Sequence, residues 1–241
     1  MKPWRGKLIA YGGDPKTIKG DKRGWATAIQ YLAPADLAGG INLCPWAEKA
    51  GCKNACLNTS GHGKFNSVQQ ARIRKTVLFR DNRREYFRQL DRDLDKFLLR
   101  CEATRTTYHQ RPAVRLNGTS DIQWETIAPW IFENYPKIQF YDYTKIYKRV
   151  YKKLPKNYHL TLSYSLANLD YAEAIQKAWR ECNAGIAMVF RSRALFEPYL
   201  RIPNRVDGDA DDLRFLDPKG AIVCLSAKGK ARQDTSGFVL D

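Results

Sequence analysis

The sequence predicts an α/β chain built on parallel strands, with a partial (β/α)6 barrel as its architecture. Three observations carry that reading. Short apolar runs alternate with helical stretches, the pattern of parallel strands joined by crossover helices. Polar residues gather directly after those runs: Asn117, Thr119, Ser120 and Asp121, then Asp142 and Lys145, then Ser163, then Arg191. In parallel α/β folds the loops at the carboxyl ends of the strands build the site, and several strands feeding one mouth favour a barrel over an open doubly wound sheet. Finally, 241 residues with 44% hydrophobic content make one good-sized domain, and no repeat, low-complexity tract or Gly/Ser linker divides it. Within that single domain, residues 1–24 read as a basic N-terminal extension and residues 41–63 as a cysteine-rich loop.

"WATAIQYLA" (25–33) is the first strand and leads into the cysteine loop. A long amphipathic stretch follows from Ser67 to Cys101, with Phe87, Leu90, Leu94, Phe97 and Leu98 at three- and four-residue steps, the helical period. Asn82, with Glu85 three residues on, caps the second half and splits the stretch into two helices. "PAVRLNG" (112–118) is a strand and "WETIAPWIFENY" a short helix. "KIQFYDYTK" (137–145) is a strand, followed by the basic "IYKRVYKKL" as a helix. "YHLTLSYS" (158–165), "GIAMVFRS" (185–192) and "GAIVCLSA" (220–227) are the last three strands, and "NLDYAEAIQKAWREC" is a well-patterned helix after the first of them.

The formal charge of +16 is unevenly spread. Residues 145–156 carry six basic residues and no acid, whereas residues 207–217 carry five aspartates against one arginine. A basic stripe set among tyrosines suits an anionic partner, either a small molecule or a nucleic acid; the alternative is a solvated, lysine-rich helix face. No run approaches the roughly 18 apolar residues of a membrane helix, and "MKPWRGKLIAYGG" lacks the apolar stretch of a signal peptide. A soluble, cytoplasmic protein with reduced thiols is therefore expected. Hydrolytic machinery is not evident. The chain lacks a G-x-S-x-G elbow, a phosphate-binding P-loop and an H-E-x-x-H helix, and its only histidines are His62, His109 and His159.

Three of the six cysteines, Cys44, Cys52 and Cys56, lie within thirteen positions as C-x7-C-x3-C. In a reducing compartment such a cluster points to metal rather than to disulfides. Three thiolates can hold zinc with a fourth ligand, for which His62 follows Cys56 with five residues between, or three irons of a [4Fe-4S] cluster with the fourth iron open. The location favours iron, because an open iron at the mouth of a barrel can bind a ligand, whereas a closed zinc site leaves the polar rim without a purpose. Cys101, Cys182 and Cys224 are far apart in sequence and read as packing residues.

The segments "CPWAEKAGCKNACLNTSGHG", "VRLNGTSDI", "IQFYDYTK", "YHLTLSYS" and "DGDADDLRFLDPKGAIVCLSAKG" together resemble a bacteriophage family known as gene product eighty-eight, over roughly residues 25–240. That resemblance implies a phage-encoded protein working in the host-cell cytoplasm, and it implies no particular activity. More distantly, the layout resembles radical S-adenosylmethionine (SAM) enzymes, which place three cluster cysteines after the first strand of a partial (β/α)6 barrel. This second resemblance implies Cys44, Cys52 and Cys56 as cluster ligands and SAM as the ligand of the open iron. It also implies the Asn117–Asp121 loop beside the methionine moiety, Asp142 and Lys145 at the next strand end, and Ser163 and Arg191 further round. The cysteine gaps of seven and three, and Ala55 before the last cysteine, differ from the three-and-two spacing with an aromatic there that those enzymes use. Nor does a glycine-glycine-glutamate motif follow the second strand.

Two functional expectations stand. One is an iron–sulfur protein, a radical-SAM-like or redox enzyme acting on an anionic substrate, with an electron carrier or sensor as its non-catalytic form. The other is a zinc-stabilised nucleic-acid-binding protein that clasps zinc with the three cysteines and His62 and grips its partner with the helix of residues 145–156.

Overall fold

The computed structural model describes residues 4–13, 15–108 and 110–241; His109 lies outside them. Among the described residues, nine strands form one sheet. Their order is β1 (Ile9–Tyr11), β2 (Trp25–Gln30), β3 (Arg111–Arg115), β4 (Gln139–Thr144), β5 (Tyr158–Ser163), β6 (Gly185–Phe190), β8 (Ile222–Ser226), β7 (Arg205–Asp207), with β9 (Val239–Leu240) also paired to β6. Only the β1–β2 pair is antiparallel. The six strands expected from sequence are β2, β3, β4, β5, β6 and β8, and they lie side by side in chain order. That order has no reversal of the kind that marks a doubly wound sheet. The hydrogen-bonded path ends at β1 and β7, so the sheet does not close on itself.

Register decides what each face meets. Val114 on β3 aligns with Ala28 on β2 and Phe140 on β4, and Phe140 aligns with Tyr158 on β5. These residues bury against helices α3 (Arg83–Tyr108) and α5 (Trp130–Asn134) through Leu90, Leu94, Phe97, Ile131 and Phe132. Leu162 on β5 and Ile186 on β6 bury against Tyr171, Ile175 and Ala178 of α6 (Leu169–Cys182). Leu160 and Leu162 are two apart on one strand and so share a face, which puts both helical layers on one side of the sheet. On the other side Trp25, Ala113 and Tyr141 pack against Leu213 and Phe215, from the stretch between β7 and β8.

Local chemistry explains most element boundaries. The amphipathic stretch breaks into α2 (Asn66–Asp81) and α3, and the Asn82 side chain accepts the Glu85 backbone N–H at 3.1 Å, the expected cap. Asn168 caps α6 in the same way, accepting from the Tyr171 N–H at 2.9 Å, and Asn183 ends it in the left-handed region at φ +50°. "WETIAPWIFENY" forms two helical pieces rather than one, α4 (Trp124–Ile127) and α5, because Pro129 bars helical geometry at Ala128. Residues of the presumed extension form β1 and α1 (Pro15–Asp21), which flank β2. Strands as short as β1, β7 and β9 carry too few residues to show a period. No helix among the described residues is long and apolar enough to cross a membrane.

The basic segment after β4 corrects the sequence reading. It is a single 3-10 stretch, Tyr147–Tyr151, followed by extended chain, not an α-helix presenting one cationic face. Lys148, Lys152, Lys153 and Lys156 are exposed, but Arg149 points inward and is 0% exposed. Its guanidinium donates to Asp121 at 3.0 Å, to both oxygens of Glu125 at 2.9 and 2.7 Å, and to the Tyr158 hydroxyl at 2.8 Å. Removing one partner from a buried ionic cluster strands the others without compensation. Arg149→Met should therefore lower the unfolding free energy by about 3–5 kcal/mol in urea titrations. Lys148→Met, at an exposed position, should stay within about 0.5 kcal/mol of the parent.

Candidate functional site

The chain leaving β2 crosses the carboxyl ends of the strands before it enters α2. It is pinned to the fold by backbone bonds: Leu43 N–H to the Ala35 carbonyl at 2.9 Å, and Asp121 N–H to the Leu43 carbonyl at 2.8 Å. A succession of turns then carries the cysteines, with Ala47 N–H bonded to the Cys44 carbonyl, Cys52 N–H to that of Ala47 and Thr59 N–H to that of Cys56. Gly51 sits at φ +66°, and a Cβ there would lie 2.5 Å from the Ala167 Cβ, so both conformation and space demand glycine. Ala47, Ala50 and Cys52 pack on Tyr164 and Tyr171, while Ala55 packs on Ala227, Ala231 and Val239. The loop is thus clamped between α6 and the last stretch of chain.

This clamping leaves Cys56 near enough to act electrostatically on both Cys44 and Cys52. Cys44 Sγ lies 3.7 Å from the Thr119 carbonyl, and Cys56 Sγ accepts the Asn58 backbone N–H at 3.4 Å. Lys145, from the end of β4, stands in their field. Burial alone would push its pKa down, but interactions with Cys52, Asp121, Cys44 and Cys56 outweigh burial and raise it. Burial pushes the Cys44 thiol up to about 12 and raises Cys52 in the same sense, with Lys145 opposing both. Any metal bound there would have to displace thiol protons. Among the described residues, no three His, Cys, Asp or Glu side chains stand at coordinating separations. His62 is exposed, with its ring 5.9 Å from that of Phe65. The remaining cysteines lie elsewhere: Cys101 on the buried side of α3, Cys182 at the end of α6 and Cys224 within β8.

Of the polar rim expected from sequence, Asp121 and Lys145 join the thiols. Most of the others are committed to holding the rim in shape. The Asn117 amide donates to the Ile122 carbonyl and to Asp142, and its oxygen accepts from Ser120, from the Ile122 N–H and from the Trp124 indole. Asp142 accepts the Asn117 N–H at 2.6 Å and the Tyr158 hydroxyl at 2.7 Å. Thr119 donates to the Leu32 carbonyl at 2.5 Å. Ser163 is buried, and its carbonyl accepts the Tyr171 hydroxyl at 2.7 Å. Arg191 is turned to the chain end, forking onto Asp241 at 2.8 and 3.3 Å and donating to the Arg232 carbonyl.

The sequence reading missed the inner face. Arg115 lies 4.7 Å over the Tyr143 ring and donates to Asp212 at 3.2 Å, and Asp212 also accepts the Tyr141 hydroxyl at 3.1 Å. From α2, Arg72 lies 4.8 Å over the Tyr31 ring and donates to the Asn58 side chain. The signal was there as alternation: Tyr141 and Tyr143 on β4 share one face, and the register puts Arg115 of β3 and His159 of β5 on that same face.

A family model described as Gene product 88 matches residues 8–241. The chain belongs to that phage gene-product family. The Gene product 88 match takes in the thiol loop, the inner-face arginines and the aspartate-rich stretch alike. It does not extend to radical SAM enzymes. No curated protein and no solved structure matches the chain.

Burial raises the Asp142 carboxyl to about 7, against the bonds from Tyr158 and Asn117 that favour its charged form. The ordinary carboxyl value is near 4, so between the two values the folded chain binds a proton that the unfolded chain does not. The contribution of this group to stability is full below pH ~4 and is lost as pH rises through about 7. Asp142→Asn abolishes that titration. The stability of the parent minus that of the variant, from urea unfolding at successive pH values, should fall across this window. A flat difference would refute the assignment.

Proposed function

We propose that this protein is an iron–sulfur protein in which Cys44, Cys52 and Cys56 hold a [4Fe-4S] cluster at the mouth of a partial (β/α)6 barrel, and that it acts as a redox or radical-SAM-like enzyme on an anionic substrate in the host-cell cytoplasm. What supports the reading is that these three thiols, out of six, lie in one loop across the carboxyl ends of the strands and share the electrostatic field of Lys145 and Asp121. The consecutive strand order and the helical layers on one face support the barrel. The N–H bond to Cys56 Sγ is of the kind that tunes cluster potentials. When bound, such a cluster supplies single-electron transfer, and with three protein ligands one iron remains for an exogenous group, SAM among the candidates. Lys145 would offset the negative charge of cluster and ligand, and Asp121 would hold Lys145 in place through the 2.8 Å bond from its backbone N–H. An electron carrier or sensor would use the same cluster without the substrate.

The exposed Lys148, Lys152, Lys153 and Lys156 favour a second reading, a zinc-stabilised protein that binds nucleic acid. It requires His62 to turn from Phe65 to the thiols.

Protein purified without oxygen should be brown and carry about four irons and four sulfides per chain. Cys56→Ala should lose the iron, and Cys224→Ala should keep it. Equal loss from both variants would sink the assignment, and a colourless protein with about one zinc would put the nucleic-acid reading first.

A further inference from the structure

Among the described residues, three arginines, Arg72, Arg115 and Arg214, keep a buried Nε with no hydrogen-bond partner, and Arg214 has its charge matched by Asp211 and Asp217. Arg72 is only 8% exposed, yet no carboxylate forms an ion pair with it among the described residues. Its Nη1 donates to Asn58, and its guanidinium rests on the Tyr31 ring. Arg115 is held in the same manner, by Nη1 to Asp212 and by the Tyr143 ring. In both side chains Nε is buried and has no hydrogen-bond partner. A buried donor without an acceptor carries its full desolvation penalty, and such a group in a folded protein calls for an explanation. Arg72 and Arg115 share Tyr31 as an electrostatic neighbour, which Arg214 does not, and Arg72 also has Cys56.

The side of a guanidinium that carries Nε is the side that takes an oxyanion in a fork. Anchoring each arginine through Nη1 and a ring face fixes that side in advance, so little side-chain freedom is left to lose on binding. Arg115 has its charge matched by Asp212, but Arg72 does not, so the pair keeps a net positive charge for a ligand. Lysine could not replace either group, because an ammonium offers a point charge and no fork.

We propose that Arg72 and Arg115 form an oxyanion subsite that takes the phosphate or carboxylate of a small-molecule substrate on the inner face, next to the thiols. The inference deepens the proposed function by placing the anion, but the subsite itself requires only these two side chains and no cluster.

The test is calorimetric titration of the full chain with inorganic phosphate and, separately, with acetate, at constant ionic strength. Wild-type protein should bind one of them, and the tighter one names the oxyanion class. Arg72→Lys and Arg115→Lys should each weaken that binding about tenfold or more, because they keep the charge and lose the fork. Arg193→Lys, an exposed arginine paired with Glu197 and Asp207, should bind like wild type. Should one lysine variant fail to fold, the other decides together with the wild-type melting temperature, which must rise with the bound anion. No binding and no rise in wild type, or equal weakening in Arg193→Lys, would overturn the proposal. The same titration on chelator-treated protein and on Cys56→Ala separates the two readings. Binding without iron upholds the subsite even if the cluster fails, and an iron-loaded chain that binds neither anion upholds the cluster while the subsite falls.

Discussion

One buried cation organises the carboxyl end of this sheet. Arg149 reaches inward from the turn after β4 and bonds to Asp121 after β3, to Glu125 on α4 and to Tyr158 on β5. Tyr158 passes the connection to Asp142 on β4, and Asp142 to Asn117 after β3. Asp121 also accepts the Lys145 N–H and donates its own N–H to Leu43 at the start of the cysteine loop. Three strand ends and the loop are therefore held by one hydrogen-bonded ionic network. In a low-dielectric interior such a network tolerates no missing member. The start of the thiol loop is tied to this network through Leu43, and its remainder is held by packing on α6 and on the last stretch of chain.

The second constraint is charge. A chain with sixteen excess positive charges has to place its acids economically, and the aspartate-rich stretch between β7 and β8 shows how. Asp207 meets Arg193, Asp209 meets Lys228, Asp211 meets Arg23 and Arg214, Asp212 meets Arg115, and Asp217 meets Arg214. The acidic run is a strap that neutralises basic residues from distant parts of the chain, while Leu213 and Phe215 fill the inner face. Among the described residues, Arg72 and Lys145 are inner cations without an ion pair of this kind.

Much of the fold was legible because it is local. The six parallel strands, the Asn82 break between α2 and α3 and the Asn168 cap each rest on a few neighbouring residues, whose period or cap chemistry is written in order. The polar residues after the strands were legible as a rim but misleading as to role. Asn117, Thr119 and Asp142 were expected to face a ligand, and they spend their hydrogen-bonding capacity on backbone and on each other. A buried polar side chain needs partners whether or not a substrate ever arrives, so composition at a strand end does not tell the two uses apart. The basic segment failed for a related reason: six positive charges in twelve residues look like one exposed face, whereas the segment is a 3-10 stretch with one of the six, Arg149, turned inward.

By itself the sequence determined the strand–helix units, their parallel sense and the grouping of three thiols in the loop after the first long strand, since periodicity and spacing are properties of short segments. Only the tertiary structure decided which polar groups meet. Arg115 and Asp212 are 97 residues apart, and Arg149 and Asp121 are 28 apart. Such pairs form because strand register and the crossing of the strap bring their side chains into one low-dielectric space, and no local pattern records which charge will be waiting there.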